Sequence, residues 1–305
     1  MAEARHGMEK IFRGLMTYRL THQRNMVDQF KKVRDNPVPT AVFFTCVDSR
    51  MLPSRFTQTQ VGDMFIVRNA GNMVPHSSKV SPSAVATEPA VLELACVINT
   101  VKHVVVCGHS DCKAINLLYS LHTDPKTQNS AVAHGHLSSW IKQHGDSTMV
   151  EFDKIERAQF RRPILLHAED PNEKFPAYVD VDEKYNINDK ISMVNTLVQM
   201  QNVTSYPFMH NCLRDGRTHI HALWFDVYTG EVHCFSRKEK VKEKKEFDKN
   251  MIKQSKKTHS KPIKRISIET KNWYIRKETN KATEKVLRKG NYTRKRLIKK
   301  LRKPI

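Results

Sequence analysis

Residues 103–113 read His103-Val104-Val105-Val106-Cys107-Gly108-His109-Ser110-Asp111-Cys112-Lys113, and AINLLYSL follows. The run from His103 to Cys107 is short, apolar and β-branched, which suits a strand buried on both faces of a parallel sheet. Gly108 to Cys112 breaks it, and Lys113 to Leu121 reads as a helix. Outward from this unit the pattern recurs. Residues 40–47 (TAVFFTCV) and 63–69 (DMFIVRN) are two more runs of the buried-strand kind, the second closed by Ala70-Gly71-Asn72. Between strands, residues 87–101 have helical spacing through Val91, Leu94, Ala95 and Ile98. Strands alternating with helices predict an α/β fold with a mostly parallel central β-sheet flanked by helices.

Beyond this frame, residues 9–34 read as one helix, with Ile11, Leu15, Tyr18, Met26, Phe30 and Val33 near helical spacing, ended by Asn36-Pro37. Residues 131–176 are polar, with helix expected around 137–143 and 151–160. Residues 189–203 read as a helix. Residues 218–228 and 232–235, joined through Thr229-Gly230-Glu231, read as a hairpin.

The chain has 305 residues and a formal charge of +21. That charge is concentrated. Residues 237–305 hold 27 Lys+Arg against 7 Asp+Glu, whereas residues 1–236 hold 25 against 24. The body is therefore an ordinary near-neutral domain, and the boundary is expected at 236/237. Apolar residues in the tail are too sparse to offset the entropy of ordering it, so disorder or partial helix is expected there. Its charge suits nucleic acid, an anionic membrane or an acidic protein. No window is apolar enough to span a bilayer. The N-terminus has no apolar segment ending in a small-residue cleavage site, so an intracellular protein is expected. Residues 10–27 carry bases but no acid, which leaves a mitochondrial or a cytoplasmic location open. In that setting the 6 Cys suggest metal ligands, catalysis or core filling rather than a disulfide framework.

Two strand ends carry residue types that bind a borderline-soft metal: Cys46-Val47-Asp48-Ser49-Arg50 and His109-Ser110-Asp111-Cys112. Parallel strands converge at their carboxyl ends, where sites are built. Cys46, His109 and Cys112 would supply three positions of a tetrahedral Zn²⁺ site, and three protein ligands plus water is the catalytic arrangement. Asp48 is a possible fourth ligand in a closed state. Arg50, two residues on, can instead hold its carboxylate away from the metal.

C-x-D-x-R after one buried strand, then Arg68-Asn69-Ala70-Gly71-Asn72, then G-H-S-x-C after another, resembles a β-class carbonic anhydrase, with the flavour of the animal enzymes. The resemblance runs over residues 9–236 and includes KIFRGLMTYR (10–19), VGDMFIVRNAGNMVP (61–75) and LWFDVYTG (223–230). It implies Cys46, His109 and Cys112 as zinc ligands and Asp48 and Arg50 as the catalytic dyad that keeps zinc-bound hydroxide in place. It implies reversible hydration of CO₂ to bicarbonate and a proton by that hydroxide. It also implies a helical arm (residues 1–36) that embraces a second subunit, giving a homodimer or higher even oligomer. Two departures stand out. Pro37 occupies the place of a Gln that some plant-type members use, and Phe43 the place of a Trp found at the regulatory bicarbonate site of some bacterial members.

Other readings stay open beside this one. The same metal chemistry would serve a zinc hydrolase of a small relative such as carbonyl sulfide. The molecule could also be a binding protein docked through its tail. Cys96 and Cys107 read as core thiols, and Cys212 and Cys234 lack metal-ligand spacing. Asp111 is expected to favour the start of the helix after Cys112. His219 and His221 share one strand face, where interface or core roles are expected.

Overall fold

The computed structural model describes residues 2–80, 86–167, 174–180, 182–235 and 276–277. In chain order the helices are α1 (Ala2–Thr21), α2 (Gln23–Arg34), α3 (Pro53–Thr57), α4 (Thr87–Leu92), α5 (Lys113–Thr123), α6 (Pro125–Gln128), α7 (His136–Arg157), α8 (Ile187–Asn202) and α9 (Pro207–Arg214). The strands are β1 (Ala41–Cys46), β2 (Met64–Asn69), β3 (His103–His109), β4 (Ile164–His167), β5 (Lys174–Ala177), β6 (His219–Phe225), β7 (Val232–Phe235) and β8 (Arg276–Lys277).

The central sheet has the order β2-β1-β3-β6-β7-β8, and β4 pairs with β5 separately. β2, β1, β3 and β6 run parallel, and β7 turns back antiparallel on β6. The mostly parallel sheet expected from the three apolar runs is present. β1 is buried at every position, as a strand covered on both faces must be. β6 alternates half-buried and buried residues, and Ile220, Ala222 and Trp224 belong to the core. The β6–β7 hairpin closes on Asp226, whose carboxylate accepts from the Tyr228 N–H and Thr229 Oγ1, with Gly230 at φ 73°.

Several segments differ from the sequence expectation. Residues 9–34 form two helices rather than one, parted by a turn at residue 22. Thr17 and Thr21 each donate a hydroxyl to the carbonyl four residues back just before the break, a contact that bends helices. After α4, residues Glu93–Ile98 widen into a π-helix, with the Asn99 N–H on the Leu94 carbonyl. The two short helices expected around 137–143 and 151–160 are the single helix α7. β4, β5 and α9 lie where no element was assigned. The expectation of disorder or partial helix over 237–305 falls outside the described residues, save that the backbone of β8 pairs with β7. Among the described residues no helix is long and apolar enough to cross a membrane.

Candidate metal centre

β1 and β3 lie side by side and in register, so the loops at their carboxyl ends emerge together. Cys46 is the last residue of β1, His109 the last of β3, and Cys112 directly precedes α5. Their ligand atoms all lie within 4.8 Å of one another, and all three residues are buried. The structure therefore brings together the three residues expected as ligands.

Each donor is prepared by its surroundings. His109 Nδ1 is 2.8 Å from the Ser110 carbonyl oxygen. A carbonyl only accepts, so Nδ1 carries the proton and Nε2 keeps its lone pair. Nε2 is buried without a hydrogen-bond partner, which is costly unless something positive meets it. The two sulfurs are 3.9 Å apart. Two thiolates on one tetrahedral zinc, with bonds of about 2.3 Å, sit about 3.8 Å apart. Without a metal, the Cys112 thiol donates to Cys46 and lowers its pKa, and backbone N–H groups of Gly71 and Asp48 help. Cys112 holds its own proton more tightly, because of that bond and its burial. Only a cation in their midst lets both sulfurs ionise together. Cys112 also meets the backbone N–H groups of Ala114 and Ile115 at the α5 N-terminus. The donor set and its spacing fit a tetrahedral thiophilic ion.

Asp48 stands outside this group. Arg50 Nε and Nη2 clamp its two oxygens at 2.9 and 2.7 Å, and the Arg50 N–H adds a third bond at 2.9 Å. These bonds lower the Asp48 pKa to about 2, so it is a carboxylate at neutral pH. Arg68 on β2 fixes the same loop from the other side, donating to the carbonyl oxygens of Cys46 and Asp48. Cys107 and Cys96 are buried away from the group, and burial raises both thiol pKa values, that of Cys96 to about 12. His219 and His221 lie on β6 next to His103 of β3, whose Nδ1 is 3.1 Å from His221 Nε2. These strands' His109 end carries the metal donors, whereas His103 and His219 begin them.

A carbonic anhydrase family model matches residues 41–232. Beta carbonic anhydrase 1 of Caenorhabditis elegans is 44% identical over 76% of this chain and 86% of its own length, and that of Caenorhabditis briggsae is 42% identical over the same shares. The chain belongs to the β-carbonic anhydrase family. Among solved structures, the beta-carbonic anhydrase CcaA matches with a TM-score of 0.55 at 24% identity, over 76% of this chain and 88% of its own. The family match covers both strand ends that carry the metal donors and the loop that carries Asp48 and Arg50.

Two features of this β-carbonic anhydrase were not foreseen. Asp111 lies directly before Cys112, the N-cap of α5, at φ 52°, and its carboxylate also binds Arg50 Nη1 at 3.0 Å. α8, expected only as an amphipathic helix, supplies a row of buried polar side chains to the site loops. Ser192 Oγ donates to the His109 carbonyl at 2.7 Å, Asn195 Nδ2 to that of Gly71 at 2.9 Å, and Gln199 Oε1 accepts from the Val74 N–H at 2.7 Å.

Proposed function

We propose that the protein catalyses the reversible hydration of CO₂ to bicarbonate and a proton at a zinc ion held by Cys46, His109 and Cys112. The observation that carries this reading is the buried trio of donors with a bare His109 Nε2, in a chain of the β-carbonic anhydrase family. Zinc held there would lower the pKa of a coordinated water to about 7 and so would supply hydroxide at neutral pH.

The chain's own residues do the rest. His109, its ring fixed by the Ser110 carbonyl, offers Nε2 in one direction only. Asp48 Oδ1 is committed to Arg50 N and Nε, and Oδ2 to Nη2. Oδ2 retains acceptor capacity for a hydrogen at the site, and a carboxylate this acidic accepts without taking the proton. Arg50 thereby keeps Asp48 an acceptor and prevents it from serving as a fourth ligand.

Full-length protein assayed by stopped-flow near pH 8, with zinc quantified per chain, tests the proposal. One zinc per chain with fast CO₂ hydration, both lost in Cys46→Ala, is expected. Full zinc occupancy with no hydration at any pH up to about 9 would refute it, and turnover of carbonyl sulfide under those conditions would point to the related hydrolase instead.

The working unit we propose is a homodimer or higher even oligomer. Ile11, Phe12, Leu15 and Met16 of α1 are all more than half exposed, and a second copy would cover them. Phe12→Asp/Leu15→Asp should convert the oligomer to monomer in sedimentation velocity; an unchanged size would reject the arm's role. The charge of residues 237–305 we assign to docking on a polyanion such as nucleic acid, an anionic membrane or an acidic protein, with affinity that falls steeply with salt.

A further inference from the structure

We infer that Asp111 is a positioning residue for the Asp48–Arg50 pair, anchoring the Arg50 guanidinium so that Asp48 stays turned away from the Cys46, His109 and Cys112 donors. The inference rests on the metal centre proposed above.

Asp48 and Arg50 are two residues apart on one loop, so their mutual ion pair moves with that loop and by itself fixes neither side chain relative to the donors. Arg68 secures the loop through its backbone, at the Cys46 and Asp48 carbonyl oxygens. The tie to the second loop is made by Asp111. Its Oδ2 accepts from Arg50 Nη1 at 3.0 Å and its carbonyl oxygen from Nη2 at 3.1 Å. With Nε and Nη2 already on Asp48, every nitrogen of the guanidinium is engaged, across both loops. A planar fork held at all three nitrogens has one orientation left.

Asp111 is itself held in place. Its N–H donates to Asp189 Oδ1 on α8 at 2.8 Å, and its Oδ1 accepts from Lys113 Nζ at 2.7 Å, which directs Oδ2 to Arg50. The backbone φ of 52° lies in the left-handed region, which aspartate, asparagine and glycine tolerate best. Of these, only aspartate brings a charge to the guanidinium. The residue between two ligands thus has a requirement for both its backbone conformation and its carboxylate.

Two variants separate these requirements. Asp111→Asn keeps shape and left-handed tolerance but removes the charge; Asp111→Gly removes the side chain while relaxing the backbone, so at least one should fold. Full-length wild type and variants are loaded with Co²⁺ and titrated with thiocyanate, following the visible cobalt bands, with metal per chain measured alongside. All should hold one metal per chain. Both variants should bind thiocyanate at least about tenfold more weakly, the scale of one lost charged hydrogen bond, and zinc-loaded CO₂ hydration should fall with it. Anion affinity equal to wild type in both variants would overturn the inference. So would loss of the metal itself, because Asp111 would then be holding the ligand loop rather than Arg50. Wild type that binds thiocyanate but does not hydrate CO₂ would refute the proposed function while leaving the Asp111 comparison valid. Wild type that holds metal and takes no anion would refute the open centre and this role with it.

Discussion

Arg50 is the residue on which the two site loops meet, and its loss should be felt in turnover more than in metal content. Arg50→Ala removes the two guanidinium bonds on Asp48 and keeps the backbone N–H bond, while Cys46, His109 and Cys112 keep their own backbone supports. The expected outcome is about one zinc per chain and a kcat lower by roughly 100-fold, the scale of a misplaced group at a proton-handling centre; stopped-flow hydration with metal analysis checks it. The contrast with Cys46→Ala, which should empty the site, separates orientation from ligation. At this scale the sequence was legible where chemistry is local. A Cys ending a strand, an Asp and Arg just after it, and a His and Cys three apart declare themselves by residue type and spacing. Asp111 did not, because its role needs a left-handed backbone and a partner 61 residues away. From spacing alone it resembled an ordinary residue at a helix start.

At the scale of elements, α8 and β3 are held closer than side chains would allow. A Cβ on Gly108 would lie 2.0 Å from Thr196 Oγ1, so only glycine lets the helix reach the His109 carbonyl with Ser192. Gly108→Ala should therefore destabilise by about 1–3 kcal/mol, as overpacked cores do, and lower activity by moving His109. Urea unfolding measures the first. Adding Thr196→Ala should recover much of the loss; no recovery would mean that the clash is not the cause. Close approach also explains why α7 read as two short helices. Gly145 and the polar stretch after it look like an interruption, yet a Cβ at Gly145 would meet Leu118 Cδ2 at 2.5 Å, so glycine is there because α5 packs against it. Thr148 is buried and donates to Asn195 of α8. Packing between elements turned apparent helix breakers into contact points, which single-segment periodicity does not register. β1, β2 and β3 were legible because burial on both faces leaves its mark within each segment.

The whole molecule carries a second pH sensitivity, separate from the metal ligands. His144 on α7 and His233 on β7 are buried, each with an unpartnered Nδ1, and burial lowers both pKa values below the ordinary histidine range. Tyr185 faces His233 Nε2 at 3.0 Å, and Trp140 packs edge-on against His144. Both rings are therefore neutral in the folded protein at neutral pH. Below about pH 6.5 the unfolded chain binds protons that the folded chain refuses, so stability is full above that pH and declines as pH falls towards the folded pKa values. Each histidine contributes at most about 1.4 kcal/mol per pH unit in that window. Acid would also return protons to Cys46 and Cys112 and release a metal held between them, so wild type alone does not separate the two effects. His144→Gln/His233→Gln leaves the ligands intact. Urea unfolding at pH 7.5, 6.0 and 5.0 should show the double variant losing less stability with acid than wild type, while zinc release follows the same pH course in both. Parallel stability curves would mean that the two buried rings find compensation on protonation, and acid sensitivity would then belong to the metal centre alone.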